Sequence, residues 1–428
     1  MLLEILPTFL THPPAPASSH RFSSMKPEND PDPHQVLSGL ETSCFDYQPR
    51  TRVVFEAGGI RQLGRLAKNL SDGPVLLVTD SGLHRAGHVQ RAEQILNAAG
   101  LEVAVFQDVA ENPTTKDVDR CVAFAKENQV RLIVGLGGGS SMDCAKGANF
   151  LLTNGGQMQD YKGIGKAKHE MLPMIAIPTT SGTGSEAQSF AVIADAETHM
   201  KMPCGDPKAA CRVAILDPEL TITMPRSVAA ATGIDAMTHA IESFVSKKRT
   251  LMSQMFAKQA WQLLSKSFSV VMDDPHDVAA RGQMLLGAHL AGAAIENSML
   301  GSAHATANPL SANFNTVHGV AVGLMLPHVI RWNQSEVGEL YKDLAVASGC
   351  ATSTDNAQQA TEQLASKFTS FLKIAEMPTR LNEAVDQTLD QQMLMTLADQ
   401  ATQQWTGTFN PRTMERQDFL RVYQDALS

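Results

Sequence analysis

The most constraining feature of this 428-residue chain is an alternation of short apolar runs and helical segments that fills its first half. Apolar runs of strand length lie at 53–55, 75–79, 103–106, 132–136 and 174–177, with segments of helical periodicity between them. This β-α-β order predicts a parallel sheet with helices on both faces. After about residue 224 only helical patterns remain, which predicts an all-helical region.

Three parts are therefore predicted. Residues 1–45, which become rich in Pro and Ser, are expected to form a disordered or poorly ordered extension. An α/β domain is expected at 46–224 and an all-helical domain at 225–428. Its helical segments are 227–246, 251–272, 278–293, 300–313, 319–331, 335–347, 355–374 and 412–427. The cleft between two such domains is a common location for a small-molecule site.

Composition narrows the class of partner. The formal net charge is −9, with acidic and basic residues interspersed and no basic block, which argues against nucleic-acid binding. No apolar run reaches the roughly 18 residues that a membrane span requires. The six cysteines form no CxxC pair, so we expect reduced thiols and a cytoplasmic protein.

Two loops rich in glycine and hydroxyl groups follow predicted strands. Gly137, Gly138, Gly139 and Ser140 stand between the strand at 132–136 and the next helix. Glycine allows close backbone approach to a phosphate, and the N–H groups of a helix N-terminus favour an anion. A second such loop, 178–186, follows the strand at 174–177. Either loop alone also fits a tight turn or an ordinary polar loop, but the two together favour binding of a dinucleotide pyrophosphate.

Asp80 ends another predicted strand at the same edge of the sheet. A carboxylate there can accept hydrogen bonds from an adenosine ribose and repels a 2′-phosphate, which favours NAD over NADP. The strict Rossmann fingerprint, in which the acid follows the glycines, is absent. A helix-capping or turn role for Asp80 is the alternative.

Asp235 and His239 lie four residues apart in a predicted helix and share one face. His304 and His318, further along the chain, extend the candidate set to one carboxylate and three imidazoles, which suits Fe(II) or Zn(II), with Mn, Co or Ni also possible. Polar pairs at this spacing are also common on helix surfaces. The apolar neighbours favour a metal, because a buried Asp beside a buried His requires a partner.

Taken together, these segments resemble the iron-containing (group III) alcohol dehydrogenases from about residue 48 to the C-terminus. Six blocks carry the resemblance: GGGSSMDCAK at 137–146, PTTSGTGSE at 178–186, DPEL at 217–220, GIDAMTHAIES at 233–243, HATANPLSANFNTVHG at 304–319 and NPR at 410–412. The resemblance implies a dinucleotide-binding α/β domain and an all-helical domain in a dehydroquinate synthase-like architecture.

The resemblance also implies residue roles. The metal ligands would be Asp235, His239, His304 and His318, with Fe(II) preferred and Zn(II) possible. The cofactor, NAD rather than NADP, would be bound by Asp80, Gly137, Gly138, Gly139, Ser140, Asp143, Thr179, Thr180, Ser185 and Lys201. Homodimers or larger homo-oligomers are common in the family.

The implied reaction is hydride transfer between a small primary alcohol or aldehyde and nicotinamide C4, with the metal polarising the substrate oxygen. A glycerol dehydrogenase-like polyol oxidoreductase and a non-catalytic NAD-binding protein of the same fold are the alternatives. The family often carries a second histidine four residues after the third ligand, where this chain has Asn308. Because an amide cannot titrate, we expect a lower rate or a shifted substrate preference.

Overall fold

The N-terminal half of the chain is built on a parallel β-sheet. The computed structural model describes residues 45–198 and 200–427. The predicted extension at 1–45 therefore lies outside the described residues, except for residue 45. In the described chain the strands are β1 (Arg52–Phe55), β2 (Val75–Val78), β3 (Val103–Phe106), β4 (Leu132–Gly137), β5 (Gly163–Ile164), β6 (Met174–Pro178), β7 (Phe190–Ala194), β8 (Lys201–Gly205) and β9 (Val213–Leu216).

Six of these strands form the main sheet, in the order β1-β9-β6-β4-β2-β3, and every pairing is parallel. The chain passes from β2 outward to β3 and then returns to β4 on the other side of β2, so the strand order reverses at β2 and β4. Ligands of open α/β sheets bind in the crevice at such a reversal, at the carboxyl ends of the strands. The predicted strands and their parallel arrangement are confirmed.

The sequence patterns missed four strands. β9 closes the main sheet against β1, and β5, β8 and β7 form a small three-stranded sheet in that order. β7 and β8 are antiparallel, with Ala191 opposite Cys204. β8 reads Lys-Met-Pro-Cys-Gly, a segment with a proline and a glycine and no clear alternation, so periodicity gives little sign of it.

Helices cover the sheet and then form the second half of the chain by themselves. In the described residues, those of the first half are α1 (Leu63–Lys68), α2 (Ser81–Arg85), α3 (His88–Ala98), α4 (Thr115–Glu127) and α5 (Gly139–Asn154). Those of the second half are α6 (Arg226–Val245), α7 (Leu251–Asp273), α8 (Val278–Glu296), α9 (Ser302–Phe314), α10 (His318–Ala347), α11 (Ala357–Ile374), α12 (Leu381–Ala384), α13 (Gln391–Thr402) and α14 (Arg416–Leu427). The predicted change from α/β to all-helical structure is confirmed.

The helical half has one large apolar core around α6, whose residues from 233 to 245 are all buried. α10 was predicted as two segments, 319–331 and 335–347, and it does consist of two helical segments, which meet at a kink at Val337, whose backbone is non-helical. The division into separate domains at 224/225 stays a prediction, because residues 44–428 form a single contact unit. No helix in the described residues is long and apolar enough to cross a membrane.

Candidate metal centre and cofactor loops

Asp235 and His239 face each other inside the core helix α6. Both residues are buried, at 5% exposure each. Nε2 of His239 lies 3.3 Å from Oδ1 of Asp235, as expected for two side chains one helical turn apart. The pair therefore lies in the protein interior and is not an exposed polar pair on a helix surface.

His304 and His318 approach the same carboxylate from two other helices. Nε2 of His304, in α9, lies 3.5 Å from Oδ1 of Asp235, and Nε2 of His318, at the start of α10, lies 3.8 Å from it. Ligand atoms of Asp235, His239 and His304 all lie within 4.8 Å of one another. The His318 side chain is 28% exposed, so it marks the open side of the cluster. The structure thus brings all four predicted residues together.

The cluster leaves buried polar atoms that a cation would satisfy. Within the described residues, Oδ1 of Asp235 and Nε2 of His304 are buried and have no hydrogen-bond partner. An unsatisfied buried polar atom costs about 1–3 kcal/mol, which makes an unpaired arrangement of this kind unfavourable. One carboxylate and three imidazoles are donors that Fe(II) and Zn(II) accept. The residues present therefore fit the metal that the sequence predicts.

The electrostatics of the cluster favour a cation. Although burial raises the pKa of Asp235, the surrounding imidazoles, His239 foremost, hold that pKa well below its ordinary value. Burial lowers the pKa of His318 far below the ordinary imidazole value. Burial also acts to lower the pKa of His304, but the Glu242 carboxylate beside it raises that pKa to about 9. A site that stabilises a proton between two carboxylates also stabilises a divalent ion.

A close helix crossing brings His318 to the cluster. A Cβ atom added at Gly319 would lie 2.0 Å from the carbonyl oxygen of Ala231, in α6. Only glycine allows the start of α10 to approach the α6 backbone so closely. The glycine that follows His318 in the sequence therefore fixes the depth at which that imidazole sits.

The two glycine-rich loops meet at the edge of the sheet because β4 and β6 are neighbours, with Gly137 paired to Pro178. A Cβ at Gly138 would lie 3.3 Å from the Thr180 side chain, and a Cβ at Gly139 would lie 2.6 Å from that of Thr183. The first loop also begins α5, whose N-cap is Gly138 and has no side-chain hydrogen bond. The expected convergence of the two loops is confirmed.

The second loop also packs directly against the helix that carries the metal cluster. A Cβ at Gly182 would lie 2.6 Å from Cβ of Thr232, which precedes Asp235 by one helical turn. The same loop meets α8, where the backbones of Gly184 and Gly292 are in contact. A cofactor bound along this loop would therefore reach the cluster.

Comparison with known proteins agrees with this geometry. The model of the iron-containing alcohol dehydrogenase family matches residues 49–218, and the model of the C-terminal part of the Fe-containing alcohol dehydrogenase family matches residues 229–427. NAD-dependent methanol dehydrogenase of Bacillus methanolicus is 32% identical over 374 residues, which are 87% of this chain and 97% of that protein. The chain belongs to the iron-containing alcohol dehydrogenase family.

Solved structures have the same fold. A 1,3-propanediol oxidoreductase superposes with a TM-score of 0.86 at 31% identity, covering 90% of this chain and 100% of that one. Sulfoacetaldehyde reductase from Bifidobacterium kashiwanohense, solved in complex with NAD+, superposes with a TM-score of 0.81 at 27% identity, covering 90% of this chain and 99% of that one. As a member of this family of enzymes, the chain is an alcohol oxidoreductase.

The predicted cofactor residues of this family member fall into two groups. Some belong to the two loops at the sheet edge: Thr179 is buried and its N–H donates to the Gly137 carbonyl at 3.0 Å, while the Ser140 hydroxyl accepts from the Asn112 N–H at 3.3 Å. Asp80 caps α2, and its Oδ1 accepts from the N–H groups of residues 82 and 83 at 2.8 and 3.1 Å. The capping alternative for Asp80 is thus observed, and it leaves ribose binding as a further role to be tested.

Other predicted cofactor residues hold the protein together. The carboxylate of Asp143 accepts from the Ser185 hydroxyl at 2.7 Å and from the Val192 N–H at 3.1 Å, so both of its oxygens are used internally. Burial raises its pKa despite the nearby ammonium of Lys146. Burial also lowers the pKa of Lys201, whose charge interacts with Asp235 and Asp143.

Several buried charged residues were not singled out from the sequence. Nζ of Lys146 donates to Ser185 Oγ at 2.9 Å and to three backbone carbonyls, which fixes the second loop against α5. Glu186 and His289 form a buried pair at 3.1 Å between that loop and α8. Glu242 contacts His304. Lys146, Glu186 and Glu242 all lie inside the family-like blocks, but nothing in their spacing indicates their partners.

Proposed function

We propose that this protein is a metal-dependent, NAD(H)-linked alcohol dehydrogenase or aldehyde reductase that acts on small primary alcohols or aldehydes. The observation that carries the proposal is the buried cluster of Asp235, His239, His304 and His318, packed against the loop at 178–186. Related proteins are named for activity on methanol, 1,3-propanediol and sulfoacetaldehyde, and these names support a small substrate for this protein.

Each part of the site has a proposed role. Gly137, Gly138, Gly139, Ser140, Thr179, Thr180 and Ser185 would hold the pyrophosphate and its neighbourhood, and Asp143 would keep the loop in shape. Asp80 would accept hydrogen bonds from the adenosine ribose and select NAD. Lys201, at the start of β8, would contact the nicotinamide ribose, as the family resemblance implies. Asp235 and the three histidines would hold Fe(II), or Zn(II) as the alternative.

When bound, the metal supplies Lewis-acid polarisation of the substrate oxygen, and the nicotinamide exchanges hydride at C4. The protein supplies orientation and a dry environment. Its cluster lies in an apolar helical core, and of the four candidate ligands His318 is the one with substantial exposure, at 28% of its side chain. Substrate therefore reaches the cluster from the His318 side, and the buried walls of the site keep bulk water away from the reacting groups.

The direct test is NADH oxidation with a panel of aldehydes by protein stripped of metal and then given Fe(II) or Zn(II) anaerobically. Activity should return only with metal and should be lost in Asp235→Ala. Asp386→Ala is the matched control, because Asp386 is an exposed loop residue of the same helical half. It should keep the wild-type rate.

Oxidation of glycerol, run beside ethanol and 1,3-propanediol, tests the polyol alternative. Higher kcat/KM for glycerol than for the primary alcohols would replace our substrate assignment. No turnover with any metal and either nicotinamide cofactor would instead favour the non-catalytic NAD-binding alternative.

We also propose a cytoplasmic location and a homodimer or larger homo-oligomer. The five cysteines in the described residues are all free, which suits a reducing compartment. β1 is an edge strand, and its Val53 and Phe55 side chains are 42% and 45% exposed. Exposed apolar residues on an edge strand are usually covered in the working protein. Light scattering should give twice the chain mass or a larger multiple of it, and a monomer would contradict the homo-oligomer.

A further inference from the structure

Glu242 links the metal cluster to the first turn of α9. It lies in α6, almost one turn beyond His239, and is only 3% exposed. Its Oε2 lies 2.5 Å from Nδ1 of His304, and its Oε1 accepts from the N–H of Ala303 at 2.6 Å. One buried carboxylate therefore holds both the imidazole and the backbone of the segment that carries it.

This contact determines which nitrogen of His304 is available to a metal. A carboxylate only accepts hydrogen bonds, so Nδ1 of His304 must carry a proton and donate a hydrogen bond to Glu242. In a neutral imidazole the other nitrogen, Nε2, then has the free lone pair. Nε2 is the atom that faces Oδ1 of Asp235, at 3.5 Å.

Asn410, from the NPR block near the C-terminus, holds the same turn from the opposite side. It is 1% exposed, and its Oδ1 accepts from the N–H of Ser302 at 3.3 Å and from Nδ2 of Asn333 at 3.0 Å. Its Nδ2 donates to Oδ1 of Asn333 and to the carbonyl of Arg412, both at 2.7 Å. Both atoms of the amide therefore have hydrogen-bond partners, and exchanging its oxygen and nitrogen would break these bonds.

The two side chains together satisfy N–H groups that a helix N-terminus otherwise leaves without partners. Gly301, just before α9, leaves room for both, because a Cβ there would lie 2.9 Å from Oε1 of Glu242 and 3.2 Å from Oδ1 of Asn410. The place and direction of the His304 side chain are therefore set by contacts with α6 and with the C-terminal segment.

We propose that Glu242 and Asn410 are positioning residues of the metal centre: they hold the first turn of α9 and present His304 to the metal through Nε2. The proposal rests on the proposed function, because it assumes that the cluster binds a metal. Removal of a hydrogen-bond partner behind a metal ligand typically costs 10- to 100-fold in metal affinity.

Glu242→Gln is the primary test, measured as Zn(II) affinity in competition with a chelator. A glutamine amide has one acceptor and one donor group. If its oxygen accepts from Ala303, its N–H group faces Nδ1 of His304 and favours the tautomer with the proton on Nε2. We expect roughly 10- to 100-fold weaker zinc binding with unchanged circular dichroism.

Asp217→Asn is the matched control, because Asp217 is also a fully buried carboxylate, but its oxygens accept from the N–H groups of Gly58 and Ile60 in the α/β half and not from a residue of the cluster. Its zinc affinity should stay within about twofold of wild type. If the wild-type protein binds neither Zn(II) nor Fe(II), the proposed function fails. If wild type and Glu242→Gln bind zinc equally, the proposed function survives and the positioning role is refuted.

Two further measurements distinguish the effect on the tautomer of His304 from the effect on the position of its side chain. In zinc-loaded wild-type protein, 15N NMR should show His304 protonated at Nδ1, and an unprotonated Nδ1 would overturn the proposal even if Glu242→Gln fails to fold. Asn410→Ala should weaken zinc binding while leaving the His304 tautomer unchanged. Folded Asn410→Ala with wild-type zinc affinity would remove Asn410 from the proposal.

Discussion

Replacing Gly319 with alanine tests the helix crossing that delivers His318 to the cluster. The new Cβ would lie 2.0 Å from the carbonyl oxygen of Ala231. An ordinary carbon–oxygen contact is about 3.3 Å, so α10 must shift by roughly 1.3 Å relative to α6. Overpacking of this kind costs about 1–3 kcal/mol, and the upper end applies because backbone atoms cannot turn away.

The helical preference of alanine offsets at most about 1 kcal/mol of that cost. We therefore expect Gly319→Ala to lower the free energy of unfolding by about 2 kcal/mol. Because His318 is the neighbouring residue, the same shift misplaces its imidazole. A displacement of about 1 Å at a reaction centre can cost about 100-fold, so kcat/KM of the metal-loaded enzyme should fall by about that factor.

Denaturant unfolding and steady-state kinetics measure the two effects. Gly338→Ala, in the same helix, is the control, because its Cβ would meet only side-chain atoms, the nearest being Cβ of Ala357 at 3.3 Å. It should change stability by less than about 1 kcal/mol. Wild-type stability and rate in Gly319→Ala would refute the reasoning that this close crossing fixes the site.

Three further predictions follow from single side chains. Asp80→Ser keeps a capping oxygen for α2 but removes the charge that repels a 2′-phosphate. The ratio of kcat/KM for NADPH to kcat/KM for NADH should therefore rise about tenfold or more, the equivalent of about 1.4 kcal/mol. An unchanged ratio would show that Asp80 does not determine which cofactor binds. Asn308 now donates to Oε1 of Gln404 at 2.9 Å, and Asn308→His should raise kcat and introduce a pH dependence near 6.5, whereas an unchanged pH profile would deny the position a role in proton transfer. Burial, and then the charge of Arg331, lower the pKa of His328 to about 4 in the folded protein. As pH falls below about 6.5, His328 therefore takes up a proton in the unfolded chain before it does so in the folded one. The stability that the neutral, buried His328 contributes is complete above about pH 6.5 and is lost as pH falls towards 4. His328→Gln should lose part of the acid-induced fall in unfolding free energy, and an identical pH profile would contradict this.

The sequence could predict the parts of the site whose residue types carry their own chemistry. Asp235 and His239 could be recognised as candidate metal ligands, because two polar residues one turn apart in an apolar helix need a partner. Gly137 and its neighbours, placed between a strand and a helix, predict a loop at the sheet edge. Local periodicity was sufficient to place five of the six strands of the main sheet and the helical half, but it missed β9.

Long-range contacts could not be predicted in the same way. The family resemblance implied that Asp143 lies by the pyrophosphate, yet its oxygens accept from Ser185, in the second loop, and from Val192, in β7, a strand that the sequence patterns missed. The contact of Glu242 with His304 joins residues on different helices, and the role of Asn410 depends on where the C-terminal segment lies. Periodicity reports on one element at a time and does not encode such pairings.

The most direct test of the central claim is a titration of metal-stripped protein with Fe(II), under anaerobic conditions, with the rate of NADH oxidation by a small aldehyde as the readout. We predict that the rate rises from near zero and levels off at one Fe(II) per chain. Full activity before any metal is added, or no activity at any amount of Fe(II) or Zn(II), would contradict the assignment of the Asp235 cluster as the metal centre of an alcohol dehydrogenase.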